Sequence, residues 1–315
     1  MTPVIRTEKL SKTYRTGFWM RPVVGLVSLD MEVQKGQIFG FIGPNGAGKT
    51  TTIKMLMGLQ AATGGRGWIF DRPMEDPEAR RRVGFLPERP YFYEHLSARE
   101  LLHFYGQLFD VPASVREERI GKLLERVELT RFSDVPLRKY SKGMLQRVGL
   151  CQALLHDPEL VVLDEPMSGL DPVGRAMVRD IILEERRNGR TVFFSSHILS
   201  DVEALCDRVA IIVRGEARGI GTVRELIGDR VRHVDCVFAG VEGLPLPGEV
   251  EGQRSPGERL ARLQPEAVDA AVDAVRRAGG RVVSITPVRE SLEHVLLTEV
   301  ERARPVDSKR LGVLS

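Results

Sequence analysis

Residues 43–50 have the sequence GPNGAGKT, with the apolar run IFGFI before them and the stretch TTIKMLMGL after them. The pattern G-x-x-x-x-G-K-[ST] between a strand and a helix is typical of a loop that wraps phosphate groups. Its glycines let backbone N–H groups turn inward, and the helix that follows directs its positive end at the same point. A bare glycine-rich turn is the alternative, but it does not require the strand and the helix. We expect a nucleotide to contact Gly43, Pro44, Asn45, Gly46, Ala47, Gly48, Lys49, Thr50 and Thr51.

Two side chains of this loop and two carboxylates further along carry the predicted chemistry. Lys49 is expected to reach the outer phosphates, and the Thr50 hydroxyl to ligate Mg²⁺. Residues 160–165, LVVLDE, form an apolar strand that ends in carboxylates at the edge where an open α/β sheet binds ligands. Asp164 is expected to hold Mg²⁺ through its waters, and Glu165 to orient the water that attacks the γ-phosphorus. The alternative is that Asp164 and Glu165 are solvated carboxylates at the end of a strand, with no role in binding or catalysis.

Short apolar runs alternate with amphipathic stretches along the chain, which is typical of a parallel sheet with crossover helices. The clearest predicted strands are Ile38–Ile42 and residues 160–163, 191–195 and 209–213. Between the first two, apolar residues at helical spacing predict a helical subdomain at about residues 89–158. We expect one α/β domain over residues 1–228 and a small accessory domain over residues 229–315.

The accessory region is predicted to be a small β-α-β piece with a closing helix. The predicted elements are a strand at Val231–Ala239, a loop over 240–257, a helix over 265–278, a strand over 281–285 and a helix over 291–300. Residues 304–315 are expected to be disordered. This region carries no clustered His, Cys or paired carboxylates, so we expect it to support dimer contacts or to tune activity.

Composition narrows the classes of function. The 315 residues carry a formal net charge of +3 without a block of like charge, so nucleic-acid binding is not indicated. Cys151, Cys206 and Cys236 lie far apart, which argues against a zinc site and against a secreted disulfide framework. No apolar run approaches the ~18 residues of a membrane-spanning helix. Any membrane contact is therefore expected to go through a partner.

The order of GPNGAGKT, YSKGM, VVLDEP, SGLDP and SSH resembles the ATP-binding cassette (ABC) family, and specifically its exporter-type subunits that work with separately encoded permeases. The resemblance covers residues 9–226. It implies a P-loop NTPase core with a mixed, mainly parallel sheet, a helical subdomain insertion and here a small C-terminal α+β domain. It also implies hydrolysis of ATP with Mg²⁺, two ATP molecules sandwiched in a head-to-tail dimer, and a permease partner at the cytoplasmic face of the cell membrane.

The resemblance assigns further residues. Tyr14 is similar to the aromatic that stacks on adenine, although surface packing would also suit a lone Tyr in a basic loop. Ser141 and Gly143 are similar to the signature residues, at a helix N-terminus that a second subunit would direct at the γ-phosphate. His197 looks like the switch histidine, which joins Glu165 and Lys49 as a catalytic candidate. Asp171 would lie at the subunit interface.

Two segments depart from the family's pattern, the signature and the Q-loop. The usual signature is Leu-Ser-Gly-Gly-Gln, whereas residues 140–144 are YSKGM, so Lys142 replaces a glycine and Met144 the glutamine. Met144 cannot donate the hydrogen bond of that amide, and Lys142 beside a phosphate is electrostatically tolerable. Glu88 stands where the family's Q-loop has Gln, and its carboxylate is expected to approach Mg²⁺ or its water.

Six aromatic side chains in the predicted helical subdomain suggest a groove that a permease occupies. They are Tyr91, Phe92, Tyr93, Phe104, Tyr105 and Phe109. For the last three, packing in the subdomain's own core is the favoured interpretation. Tyr91–Tyr93 directly follow the Q-loop segment, so we expect them to contact the permease.

Other classes of function use the same motifs. Soluble ABC ATPases of DNA repair or of the ribosome carry long heptad insertions or two cassettes in one chain, and this sequence has one cassette and no sustained heptads. A regulatory module that holds ATP without cleaving it is disfavoured by Glu165 and His197. Resemblance in YSKGM and in Leu86-Pro87-Glu88 favours export over import.

Overall fold

The computed structural model describes residues 2–17, 19–228, 231–241, 244–245, 249–255 and 257–303. They group into two compact units, of which the larger runs up to Val223 and takes in the residues from Thr298 onward, while the smaller is Arg224–Leu297. The division of the chain near Gly228 into two independently folding domains stays a prediction. The tail over 304–315, predicted to be disordered, lies outside the described residues.

A mixed sheet forms the centre of the larger unit. Its strands are β1 (Ile5–Thr16), β2 (Arg21–Val33), β3 (Ile38–Ile42), β4 (Gly64–Ile69), β5 (Arg72–Pro73), β6 (Val83–Leu86), β7 (Leu160–Asp164), β8 (Thr191–Ser196), β9 (Arg208–Val213) and β10 (Glu216–Thr222). Their order is β5-β4-β1-β2-β10-β9-β3-β8-β7-β6. Pairing is parallel from β9 through β3, β8 and β7 to β6, and antiparallel among β2, β1, β4 and β5. The predicted mixed sheet is confirmed.

The helices are interspersed with the strands, as expected for crossover connections. They are α1 (Lys49–Leu56), α2 (Pro77–Arg80), α3 (Ala98–Leu108), α4 (Ala113–Arg126), α5 (Lys142–Leu154), α6 (Pro172–Arg187), α7 (Leu199–Leu205), α8 (Val223–Ile227), α9 (Val268–Arg277) and α10 (Leu292–Arg302), with 3₁₀ turns at Thr130–Phe132, Leu137–Lys139 and Pro265–Ala267. Among the helices of the described residues, none combines the length and apolar character needed to cross a bilayer.

The helical insertion between β6 and β7 consists of α3, α4 and α5. Helix α3 starts at a capping box, since the Ser97 hydroxyl accepts from the Glu100 amide at 3.2 Å and the Glu100 carboxylate accepts from the Ser97 amide at 2.8 Å. Leu101, Leu102, Ile120 and Leu124 are buried inside the insertion. The expectation that Phe104 and Phe109 fill this core was wrong, because both side chains remain more than a third exposed.

The core of the larger unit lies around β3, β7 and β8, which are buried along their whole length. Parallel strands covered on both faces require continuous apolar runs, and the sequence supplies them. The rings of Phe39 and Phe193 stack between neighbouring strands with their centroids 5.8 Å apart. This packing fixes the carboxyl ends of β3, β7 and β8, and the predicted site residues lie at or directly after those ends.

The N-terminal strands β1, β2 and β4 were not identified from the sequence. Irregular register at Thr7/Leu10 and at Leu10/Lys12 interrupts the alternation of inward and outward side chains in β1. A β-bulge of this kind shifts the period-2 pattern by one residue. Ile5 and Leu10 are therefore both fully buried although they are an odd number of residues apart.

The smaller unit is an α+β piece, as predicted, with an antiparallel sheet in the order β12-β13-β11-β14. Its strands are β11 (Val231–Ala239), β12 (Glu249–Ser255), β13 (Glu258–Leu263) and β14 (Arg281–Arg289). Phe238 and Val275 meet in its core.

Two predictions for this unit need correction. The loop expected over residues 240–257 contains strand β12, whose sequence EVEGQRS has no apolar alternation and pairs with β13 through its backbone. The strand expected over residues 281–285 continues to Arg289. Pro287 is tolerated there because β14 is an edge strand.

Candidate functional site

A cavity of about 620 Å³ lies at the carboxyl edge of the sheet in the larger unit, within the size range of ligand sites. Its lining brings together most of the residues predicted from the motifs. They are Tyr14, Asn45, Gly46, Ala47, Gly48, Lys49, Thr50, Thr51, Glu88, Glu165 and His197, accompanied by Val23, Val24, Gly25 and Ser168. Gly43, Pro44 and Asp164 do not line the cavity themselves. Gly43 and Pro44 accept hydrogen bonds from Lys49, and Asp164 bonds to Thr50.

The glycines of the loop are required by space and by backbone conformation. A Cβ atom at Gly43 would collide with the Ile212 carbonyl oxygen, and one at Gly48 would lie 2.5 Å from the Gly25 carbonyl oxygen. Gly48 also has φ of +108° immediately before α1 begins at Lys49. The chain therefore turns sharply into the helix, and the helix N-terminus faces the cavity.

Lys49 lies across the loop and is only 6% exposed. Its Nζ donates to the Gly43 carbonyl at 2.7 Å and the Pro44 carbonyl at 3.4 Å, and lies 3.3 Å from Glu165 Oε1. The buried ammonium is thus balanced by a carboxylate. A phosphate entering the loop would be a stronger acceptor for this ammonium than a carbonyl.

The Asp164 carboxylate at the end of β7 and the backbone amide of Glu165 after it are held by the next strand. Parallel pairing of β7 with β8 places Asp164 opposite Ser195. The Ser195 hydroxyl donates to Asp164 Oδ1 at 2.6 Å and accepts from the Glu165 amide at 2.9 Å. Sequence reasoning did not assign a role to Ser195, although a hydroxyl near the end of a fully buried strand was a visible signal.

Burial raises the pKa of Asp164, while hydrogen bonds from Ser195 and Thr50 oppose the rise, and the charges of Glu165 and Glu88 add to it. A cation at this point would favour the ionised carboxylate. Among the described residues, no group of three or more His, Cys, Asp or Glu could hold a metal. Mg²⁺ does not need such a group, since it commonly takes one or two carboxylates together with substrate phosphates. The Asp164 and Thr50 oxygens therefore fit Mg²⁺.

Glu165 is clamped through both of its carboxylate oxygens. Oε1 faces Lys49, and Oε2 lies 2.6 Å from His197 Nδ1 and accepts from the His197 amide at 3.3 Å. The Glu165 side chain is 9% exposed and that of His197 is 48% exposed. A buried carboxylate is thus oriented by a histidine whose ring reaches open solvent beside the cavity.

Tyr14 contributes an aromatic side chain to the cavity lining beside Thr51. Its hydroxyl donates to Gln60 Oε1 at 2.9 Å and lies 3.1 Å from Thr51 Oγ1. The ring covers Gly25, where a Cβ atom would lie 2.5 Å from a ring carbon. Gln60 was not identified from the sequence, because only folding brings it to Tyr14.

Ser141, Gly143 and Asp171 do not line this cavity. Ser141 caps α5 by accepting from the Met144 amide at 3.3 Å, and Asp171 caps α6 by accepting from the Gly174 amide at 2.7 Å. Gly143 lies against Leu170, since a Cβ atom there would be 3.3 Å from the leucine side chain. The signature segment and the SGLDP segment therefore lie against each other within one chain, and of their residues only Ser168 lines the cavity.

Comparison with known proteins gives a consistent result. The sequence model of the ABC transporter family matches residues 26–168. An uncharacterized ABC transporter ATP-binding protein of Synechocystis is 44% identical over 94% of this chain and 84% of its own length. The Nod factor export ATP-binding protein I of Cupriavidus metallidurans is 34% identical over 73% of this chain and 75% of its own. A solved structure of an ATP-binding subunit of an ABC transporter is 31% identical, with a TM-score of 0.64, over 71% of this chain and 91% of that one.

Proposed function

The chain belongs to the ABC transporter ATP-binding proteins, and on that premise we propose that it hydrolyses ATP to power export of a substrate through a separate membrane permease. The observation that carries the proposal is the clamped carboxylate of Glu165 between Lys49 and His197, next to a phosphate-binding loop. A protein that only held a nucleotide would not need this arrangement.

Binding of ATP uses groups from several elements around the cavity. Backbone N–H groups of the loop and the N-terminus of α1 receive the phosphates, and Lys49 exchanges its carbonyl partners for phosphate oxygens. Tyr14 offers its ring to the adenine. Asp164 and Thr50 would hold Mg²⁺, with Glu88 at the cavity wall. When bound, Mg²⁺ neutralises charge on the β- and γ-phosphates.

Hydrolysis then needs an oriented water. Glu165 takes a proton from this water as the water oxygen attacks the γ-phosphorus in line, while the bond to the β-phosphate oxygen breaks. The new P–O bond yields inorganic phosphate, and the bridging electron pair leaves with ADP. His197 donates to Glu165 and fixes the direction of its carboxylate, and the exposed part of its ring contacts the γ-phosphate.

A second protomer completes the site. Ser141, Gly143 and the N-terminus of α5 lie off the cavity of their own chain, and Asp171 is exposed beside them. In a head-to-tail dimer, the α5 N-terminus of one chain faces the γ-phosphate bound by the other. Two ATP molecules are then sandwiched between two copies of this chain, or between this chain and a homologous subunit.

The permease is proposed to dock on the helical insertion. Tyr91 is 88% exposed and Tyr93 is 55% exposed, directly after the Q-loop position of Glu88. Large exposed aromatic side chains are typical anchors of protein interfaces. Such docking would hold the chain at the cytoplasmic face of the membrane. Similarity to the Nod factor export ATP-binding protein I of Cupriavidus metallidurans supports an exporter.

The proposal is tested by phosphate release from the purified chain with ATP, in the presence and absence of Mg²⁺. We expect Mg²⁺-dependent release that a Lys49→Ala variant loses together with nucleotide binding. Co-expression with a membrane protein encoded beside this chain should recover both in one detergent complex. A wild-type protein that binds ATP but releases no phosphate, alone or in that complex, would contradict the proposed hydrolysis.

A further inference from the structure

One serine hydroxyl bonds both to the Asp164 carboxylate and to the backbone amide of Glu165. Ser195 Oγ donates to Asp164 Oδ1 at 2.6 Å and accepts from the Glu165 amide at 2.9 Å. The Ser195 side chain is fully buried. A hydroxyl can donate one hydrogen bond and accept another at the same time, whereas an alanine or valine side chain can do neither.

The bond to the Glu165 amide acts on an unusual backbone. Glu165 has φ of +51°, in the left-handed region that residues with a Cβ atom seldom adopt. This conformation follows directly after β7 and lets the side chain reach Lys49 and His197. A residue held in such a conformation needs surrounding contacts that fix it, and Ser195 supplies one.

The bond to Asp164 acts on a side chain. It occupies Oδ1 and so fixes the rotation of the carboxylate at the end of β7. Partners of this kind, behind a metal ligand, orient the ligand and commonly change metal affinity or activity about 10–100-fold when they are removed.

We propose that Ser195 is a positioning residue that sets, through one hydroxyl, both the Mg²⁺-directed carboxylate of Asp164 and the water-directing carboxylate of Glu165. The inference rests on the proposed function of these two residues. It adds a residue from a different strand, one which is fully buried and does not line the cavity. A purely structural role would instead make Ser195 one more buried hydroxyl that satisfies a backbone amide.

The experiment compares Ser195→Ala with Thr191→Val. Thr191 is fully buried at the other end of the same strand, and its hydroxyl also accepts from a backbone amide, that of Gly36, at 2.9 Å. Both variants lose one buried hydrogen bond to a backbone N–H, so thermal unfolding should register both. Ser195→Thr keeps the hydroxyl, and Ser195→Cys is close to serine in size with a weaker donor.

For Ser195→Ala we expect kcat to fall about tenfold to a hundredfold and the half-saturating Mg²⁺ concentration to rise about tenfold. Binding of ATP without Mg²⁺ should stay at the wild-type level. Thr191→Val should keep the wild-type kcat and Mg²⁺ dependence, Ser195→Thr should recover most of the rate, and Ser195→Cys should fall between serine and alanine.

The inference is overturned if Ser195→Ala keeps the wild-type kcat and Mg²⁺ dependence, or if Thr191→Val loses as much activity as Ser195→Ala. A Ser195→Thr protein as stable as wild type but as slow as Ser195→Ala would also overturn it. If Ser195→Ala fails to fold, the kcat and Mg²⁺ dependence of Ser195→Cys are compared with those of wild type and Thr191→Val instead. Wild-type values in Ser195→Cys would then overturn the inference. A wild-type protein without Mg²⁺-dependent phosphate release would overturn the proposed function itself, which is a distinguishable result.

Discussion

Replacing Glu165 with Gln changes one charge at the centre of the cavity and almost nothing in shape. The glutamine oxygen can still face Lys49, now 3.3 Å from Glu165 Oε1, but its amide cannot draw a proton from water. Lys49 keeps its bond of 2.7 Å to the Gly43 carbonyl, so the loop should keep its conformation. The substitution should therefore separate binding of ATP from its cleavage.

The expected magnitude follows from the role of a general base. Loss of such a group commonly costs about a hundredfold or more in rate, which corresponds to about 3 kcal/mol of transition-state stabilisation. Binding of ATP should not weaken, because a negative charge next to the γ-phosphate has been removed. With cleavage blocked, ATP stays bound and the head-to-tail dimer should accumulate by mass action.

Phosphate release and size-exclusion chromatography with ATP and Mg²⁺ measure the two effects together. Glu159→Gln is the matched control, since Glu159 precedes the opposite end of β7 and its carboxylate bonds to Arg82 on the surface. This control should hydrolyse ATP at the wild-type rate and form no trapped dimer, and Lys49→Ala should remain monomeric. If Glu165→Gln hydrolyses ATP as fast as wild type, Glu165 is not the residue that handles the water, and His197 becomes the candidate.

Three further predictions follow from other parts of the chain. The double substitution Tyr91→Ala and Tyr93→Ala should leave basal ATP hydrolysis unchanged and uncouple transport, because both side chains are exposed; normal transport in a permease complex would refute docking there. A fragment ending at Gly228 should still bind ATP, since the cavity lies wholly in the larger unit; loss of binding, measured by equilibrium dialysis, would show that the boundary is misassigned. Tyr14→Phe and Gln60→Leu should each raise the KM for ATP several-fold with little change in kcat, because each releases the hydrogen bond that orients the Tyr14 ring; wild-type KM values in both would contradict an oriented ring.

The sequence predicted the elements whose signal is local. The loop with its flanking strand and helix was predicted correctly because glycine spacing and two apolar runs lie within about twenty residues. Strand β3 matches its predicted bounds, Ile38–Ile42, since a fully buried parallel strand is a continuous apolar run.

The missed features depend on pairing between distant segments. Gln60 meets Tyr14 and Ser195 meets Asp164 only once strands and loops are in register. Strand β12 has no apolar alternation, and its place in the sheet follows from backbone bonds to β13. Register is set by the packing of the whole sheet, so a single local window of sequence does not carry it.

Lys142 and Met144, which depart from the usual signature sequence, can be understood from the contacts of this segment. Ser141 caps α5 through the backbone amide of residue 144, and every residue except proline supplies that amide. Met144 therefore leaves the helix N-terminus intact, because the side-chain amide it lacks takes no part in the cap. Lys142 extends over Gly169, where a Cβ atom would lie 2.7 Å from the lysine Nζ and the backbone has φ of +74°. The cation thus covers a glycine in the SGLDP segment, and a larger residue at position 169 would have to displace it. The signature helix and the proposed interface segment therefore lie in contact within one chain.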